Sequence, residues 1–405
     1  MNYAGQTSNA TPFQVATNSF GIFSINSSGS GPGVITAANG DLFSVNSPAY
    51  AAGSAIIWGT GIGSSPEDDG SAPPQQINLS NVPLSVYVGT QPATVTYRGR
   101  STFTGEDQIN FVIPPGIVGC YVPVTVEIDD IVSNFVTMPI GAAGQSCPDP
   151  VAASPSPTGN VTLMRSVAIG NTVDTIDSGQ AFFGYPQLLT SGYIIPPFIG
   201  NPYSLPAGAC IGDVTVSLFG DVFGVSVLDA GPAITITGPN GVQQLPASHL
   251  YSAQLASSSG GNAQSLYLNA GAFVVSGPGG ADVGLFSQSF TIPTPLTWTN
   301  PSSISTVNRS AGLDVSWSGG DPDGFVQIAG VRITGNLLTF ICNVPISDQH
   351  FTIPPFILLS FAPSTGTSTD SLRLSSTSST AFSASGISSG TINSIVTISK
   401  NVTYQ

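Results

Sequence analysis

Few residues in this chain could carry chemistry. Gly386-Ile387-Ser388-Ser389-Gly390 spells G-x-S-x-G, which makes Ser388 a nucleophile where it sits on a strand–turn–helix elbow. Here it sits in SSTSSTAFSASGISSGTINS, ahead of a β run, where Ser and Gly are so frequent that the match arises by chance. A hydrolytic triad also needs a histidine and an acid. The chain has two histidines, His249 and His350, and Asp348 precedes His350 by two residues in SDQHF. In an extended segment those two side chains share a face. A solvated or hydrogen-bonded histidine is the simpler reading. Two histidines cannot build a three-histidine zinc site, and no HExxH occurs. The sequence therefore predicts no catalytic constellation and no cofactor, and an extracellular hydrolase ranks last among the functions.

Carboxylates cluster twice, as Glu67, Asp68 and Asp69 in PEDDG and as Asp321 and Asp323 in GGDPDGF. Calcium takes several carboxylate and carbonyl oxygens from such loops, so both are candidate calcium ligands. Asp-Gly and Asp-Pro also make ordinary turns. Sugars stack on exposed aromatic rings. Trp58 in AIIWGTG and Trp317 in LDVSWSGG read as core residues, which leaves Trp298 in LTWTN as the glycan-stacking candidate, with Tyr97, Tyr193 and Tyr267 behind it.

The chain has four cysteines, Cys120, Cys147, Cys210 and Cys342, without CxxC or zinc-like spacing. An even count favours two disulfides in an oxidising compartment; buried free thiols are the other reading. Three connectivities are possible. Cys120–Cys147 with Cys210–Cys342 is preferred, because the first pair brackets the last strands of one domain and the second joins two parts of the next.

The chain of 405 residues has only 7 basic side chains and a net charge of −14. Nucleic acid is excluded as a partner, since phosphate contacts need Lys and Arg. The same balance argues against docking to anionic lipid. Only 7 % of residues are charged, so surface polarity must come from Ser, Thr, Asn, Gln and Gly. This composition suits an extracellular or cell-surface β-protein. No leader is visible in MNYAGQTSNA, and no run is long and apolar enough for a membrane span.

The elements that must position these residues are strands. PLSVYVG, ATVTYRG, YVPVTVEI and SNFVTMPI alternate apolar and polar positions between turn residues, the pattern of a β-sandwich. GQSCPDPVAASPSPTGN (144–160) reads as a linker, and the β pattern resumes after it. The expected fold is all-β: an immunoglobulin-like β-sandwich followed by a larger β-sandwich region. The expected division is an N-terminal extended segment 1–45, a first sandwich 46–143, a linker 144–159, and a region 160–405. The last is one composite unit or two small domains divided near 295–300. FVIPPGI (111–117), YIIPPFI (193–199) and FTIPPFI (351–357) repeat one device. Proline has no N–H for a ladder, so each copy predicts a strand that runs to its limit and leaves the sheet.

Residues 49–140 resemble an immunoglobulin-like domain of the IPT/TIG type. The resemblance rests on AGSAIIWGTGIG (52–63), PLSVYVGTQPATVTYRG (83–99), DQINFVIPPGIVG (107–119) and YVPVTVEIDDIVSNFVTMPIG (121–141). With GIFSINSSGSGPGVITAANGDLFSVNSPA (21–49), Cys120 and the CPDP at Cys147, it extends over about residues 10–150. That version resembles a domain type found at the C-terminal end of large secreted proteins of soil bacteria, and the remainder resembles segments that accompany it. The resemblance implies secretion and interaction rather than catalysis, and brings no catalytic residues. The expected function is a non-enzymatic secreted or surface protein, structural or adhesive. It would self-associate or bind other surface proteins, assembling through strand pairing by segments 1–20 and 395–405. The alternative is a carbohydrate- or cell-wall-binding protein.

Overall fold

The structure is a computed structural model. It describes residues 2–3, 6–7, 16–27, 29–65, 70–141, 145, 147, 156–185, 205–216, 227–247, 250–259, 262–263, 265–333, 337–364 and 369–405. Strands dominate it, and its one α-helix among the described residues is Pro355–Leu359. The fold is all-β and built of sandwiches.

The first sandwich has two layers. One holds Ser54–Thr60 between Asp107–Val112 and the short strands Gly21–Ile22 and Ile35–Thr36. The other holds Gly119–Ile128 between Leu84–Val88 and Val136–Ile140. The long strand Gln91–Arg100 belongs to both. Its start pairs with Leu84–Val88 and its end with Asp107–Val112, and the register shifts between Val95 and Tyr97. Alternation follows from the pleat: in Leu84–Val88, Leu84, Val86 and Val88 are buried while Ser85 is exposed. The core between the layers is aliphatic, with Ile57, Ile109, Val86, Val124, Val126, Val136 and Ile140 almost wholly buried.

Beyond residue 156 a single nine-stranded sheet runs in the order 209–216, 337–345, 325–333, 369–382, 389–401, 158–169, 173–184, 251–259, 262–263. Its neighbours are antiparallel except Thr158–Ile169 and Ser389–Asn401, which run parallel through twelve paired residues, Thr158↔Ser389 to Ile169↔Lys400. Two separate cover layers pack on it. Strands 233–238, 241–246, 271–277 and 286–292 enclose one core with Val161, Leu163, Phe183, Phe382 and Ile392. Strands 297–298, 313–318 and 350–353, with the helix, enclose a second core with Leu372, Leu374, Val396 and Ile398. Strands 369–382 and 389–401 thus supply both cores. Between the cores the sheet turns polar, with Ser376, Ser378 and Ser394 beside a buried Arg165–Asp177 pair. The carboxylate of Asp177 also accepts the amides of Tyr267 and Leu268, which fastens the cover loop to the sheet.

The proline repeats end strands in both copies that fall among the described residues. Strand Asp107–Val112 stops before Ile113-Pro114-Pro115. Strand His350–Ile353 stops at Pro354, and Pro355 opens the helix at its first position, where a missing N–H costs nothing. That helix buries Phe356, Ile357 and Leu358. Phe356 stacks on Tyr87 of the first sandwich at 3.9 Å between ring centroids, and Phe135 joins the same core. Thr90 Oγ1 donates to the Gly208 carbonyl at 2.6 Å nearby. The copy at 193–199 lies outside the described residues.

One expectation is corrected here. The segment 395–405 is no free donor strand. Ser389–Asn401 lies in the middle of the nine-stranded sheet, and Thr403–Tyr404 pairs with Thr306–Val307 with Tyr404 wholly buried.

Candidate functional site

The sequence-predicted catalytic residues do not meet. Ser388 is exposed at the start of Ser389–Asn401, and both its amide and its Oγ donate to the Pro157 carbonyl, at 2.7 and 2.9 Å. It latches a strand end. Asp348 closes a 3-10 turn and His350 begins the following strand, with Gln349 in the left-handed region at φ 57° between them. They therefore share no strand face. His350 instead stands on Asp314, Nε2 to Oδ1 at 3.5 Å, with both side chains more than half exposed. His249 lies outside the described residues.

Of the calcium candidates, Glu67, Asp68 and Asp69 lie outside the described residues. Asp321 is a turn residue: Oδ1 accepts the Asp323 amide at 3.2 Å and Oδ2 accepts Ser378 Oγ at 3.0 Å. Asp323 is exposed beside it. Among the described residues no group of three or more acidic, His or Cys side chains converges on a metal-sized site. The Asp321 carboxylate thus holds its own turn.

The cysteines are joined as Cys120–Cys147 and Cys210–Cys342. Cys210 and Cys342 are direct cross-strand partners on 209–216 and 337–345 and are wholly buried. Cys147 is anchored further by its amide, which donates to Val45.

The glycan-stacking reading of Trp298 is corrected. Trp298 is 4 % exposed, packs in the core under the second cover layer, and gives its indole N–H to Asn300 Oδ1 at 2.9 Å. Its register partner Trp317 is equally buried and donates to the Ile346 carbonyl. Tyr267 is a core residue too, and Tyr193 lies outside the described residues. Sequence reasoning placed Trp58 in the core, and that is also corrected. In Ser54–Thr60 the inward positions are Ala55, Ile57 and Gly59, so Ile56 and Trp58 point outward and are half-buried. The Trp58 indole N–H is held by Thr36 Oγ1 at 2.9 Å.

Trp58 belongs to a row. Register puts it opposite Gln108, while the pairing Ile22↔Gly59 puts Phe23, 37 % exposed, on its other side. The next row is Leu42, Thr36, Ile56, Asn110 and Tyr97. Gln76 Nε2 donates to Gln108 Oε1 and Gln108 Nε2 donates to Asn110 Oδ1, each at 2.7 Å. This amide chain was missed in the sequence. The signal was parity: Gln108 and Asn110 alternate with the core residues Ile109 and Phe111.

Cations are withdrawn from the surface. Arg100, Arg165 and Arg332 each form a buried pair with Asp107, Asp177 and Asp370. Arg98 and Arg309 donate to main-chain carbonyls, and Lys400 Nζ donates to the Pro301 carbonyl. Burial lowers the Arg309 guanidinium, and Arg332 beside it adds to the effect. Burial raises the Asp107 carboxyl, against the Ile62 amide and Arg100, which pull it down. Burial also pushes the Tyr87 phenol up to about 12, helped by the Glu127 carboxylate that accepts its hydrogen bond. The face of the long sheet away from the two cores carries hydroxyl and amide contacts beside Arg373 and Ile395: Ser375 bonds Thr397, Ser379 bonds Asn393, and the buried Asn393 reaches Asn160.

No family model matches this chain, and no curated protein matches it. Among solved structures it is similar to a Bacteroides ovatus mixed-linkage glucan utilization locus protein, SGBP-B, in complex with a mixed-linkage heptasaccharide. Identity is 7 %, 77 % of this chain and 70 % of that one are covered, and the TM-score is 0.16. It is similar to titin domains I67–I69 at 8 % identity over 88 % and 94 %, TM-score 0.13. It is similar to the N-terminal four immunoglobulin domains of a Dscam1 isoform at 9 % identity over 90 % and 96 %, TM-score 0.14. Scores this low carry no argument about function.

Proposed function

We propose that the chain is a non-enzymatic secreted or cell-surface protein with a structural or adhesive role, and that its first sandwich is of the IPT/TIG type. The observation that supports this best is the placement of its charges. At least six of its seven basic side chains are bound to carboxylates or carbonyls, and the long sheet carries hydroxyls such as Ser375, Ser379 and Thr397 on the face away from its cores. Such a surface suits an extracellular setting. Two disulfides favour the same compartment.

Self-association is part of the proposal. Strand Tyr251–Ser259, YSAQLASSS, lies near the rim of the long sheet and, among the described residues, pairs on its outer side only through Ser258 and Ser259. It carries no charge or proline, the usual guards of an edge. Two measurements test the proposal. Protein recovered from the surface or culture fluid should show no reactive thiol after denaturation; four free thiols would remove the extracellular reading. Light scattering and negative-stain microscopy should show oligomers or filaments that a Gln254→Lys edge variant abolishes. A monomer at high concentration would remove the assembly.

A further inference from the structure

We infer that the outer face of the first sandwich around Trp58 binds an extended, uncharged polysaccharide. The inference rests on the reading of the chain as an extracellular adhesive protein and names its ligand.

Three properties of the face select that ligand. It offers rings: Trp58 is flanked by exposed Phe23 on one neighbouring strand. The C–H face of a pyranose is apolar and polarised to suit the negative face of an indole. Thr36 fixes the indole through its N–H, so little ring freedom is lost on binding. It offers amides: the chain from Gln76 through Gln108 to Asn110 is held by its own hydrogen bonds. One end of that chain presents amide N–H donors and the other a carbonyl acceptor. A sugar hydroxyl donates and accepts at once, so it is matched by such a pair.

The described residues of the two rows also carry no charge. Arg98, Arg100 and Asp107 on the same strands bond to Val82, to each other and to Ile62 on the core side. A polyanion would meet a chain of net charge −14, and a polycation would find no carboxylate in these rows.

The dimensions suit a chain rather than a single sugar. Phe23 and Trp58 lie on adjacent strands, spaced at about 4.8 Å, close to the length of one sugar ring; Gln108 on the next strand is buried, and the amide chain reaches the surface at its ends, Gln76 and Asn110. Beyond Gln108 the row continues with Gly99 and Asn78. Gly99 sits at φ +152°, where a Cβ would lie 1.9 Å from the Ile77 carbonyl oxygen. The position is thus held as glycine, and the Ile77–Asn78 backbone closes the row beside the amides.

The test is native gel electrophoresis of the full chain through gels containing hydroxyethylcellulose, barley β-glucan, xyloglucan or galactomannan, with alginate as the charged control. Retardation by at least one neutral polymer, and none by alginate, is expected. Trp58→Ala and Asn110→Ala should each weaken retardation roughly tenfold, and Trp58→Phe should keep part of it. Gln76 is exposed, so Gln76→Ala tests the amide chain without risk to folding if Trp58→Ala fails to fold. Wild type that runs freely in every neutral gel overturns the inference. So does binding unchanged in Gln76→Ala and Asn110→Ala, or an oligomer that Trp58→Ala dissociates, which would make a second copy the occupant. The thiol measurement above is independent of all these results, so loss of the glycan site leaves the extracellular reading standing.

Discussion

The two halves of the molecule place their aromatic residues in opposite ways. The core of the first sandwich holds only Phe20 and Phe111 among its fully buried rings and is otherwise aliphatic. Phe43 packs against that core, Phe135 and Tyr87 join the neighbouring core, and four rings lie outward: Trp58 half-buried, Phe23, Tyr50 and Phe103 exposed. The C-terminal unit fills its two cores with rings. One holds Phe183, Tyr251, Tyr267, Phe273, Phe286, Phe290 and Phe382; the other holds both remaining tryptophans with Phe340, Phe356, Phe361 and Tyr404. Its long sheet turns hydroxyls outward instead. A wide sheet with separate cover layers needs bulky residues to fill the space between them. A small sandwich closed by one shared strand fills with Ile and Val, which leaves its rings for the surface. If the glycan proposal holds, one half supplies stability and the other recognition.

The largest effect that would sharpen this contrast concerns the disulfides. Loop-closure entropy for a separation of 132 residues gives about 5 kcal/mol for Cys210–Cys342, and about 3.5 kcal/mol for Cys120–Cys147 at 27. Paired serine variants followed by denaturant unfolding should show that order, and the reverse order would break it. Next, Trp317→Ala should cost about 3–5 kcal/mol, as for a large core ring. Trp58→Ala should cost about 1 kcal/mol, near the median for point changes. Equal losses by calorimetry would mean that Trp58 is a core residue after all.

Alkaline pH gives a smaller effect. The phenols of Tyr87, Tyr97, Tyr267 and Tyr404 are all raised, chiefly by burial. The folded chain then holds protons that the unfolded chain has released. Stability is therefore complete below the ordinary tyrosine pKa of about 10 and falls as pH rises above it; for Tyr87 the loss continues to about 12. Melting temperature should drop across that window, and Tyr404→Phe should flatten the drop. A constant melting temperature would contradict the burial of these phenols. The smallest signal is optical. Acrylamide should quench one tryptophan class readily and the other poorly, and Trp58→Phe should remove the accessible class alone.

The all-β fold was legible because strands such as Leu84–Val88 alternate plainly and turn residues separate them. Strand ends were legible at Pro114 and Pro354, where proline forbids the ladder. The faces of the tryptophans were not. In Ala55-Ile56-Ile57-Trp58 both parities are apolar, and only the pairing of Ile57 with Ile109 and Ile35 decides which side is inside. Trp298 has polar neighbours on either side, so its burial depends on Trp317 across the strand pair. The sharing of one sheet by two cores was hidden for a related reason. In Thr369–Phe382 the apolar residues Leu372 and Leu374 are separated from Phe382 by hydroxyl residues that lie between the cores.

The parallel pairing at the centre of the long sheet has a mechanical consequence. The chain enters this unit at Thr158 and its last sheet strand leaves at Asn401, at opposite ends of two strands that lie side by side. Tension applied across the unit pulls those strands in opposite directions along their length. All twelve paired residues then resist in shear together, whereas antiparallel neighbours pulled from a shared end would peel apart one pair at a time. A protein tethered at both ends would hold at this seam until it failed all at once.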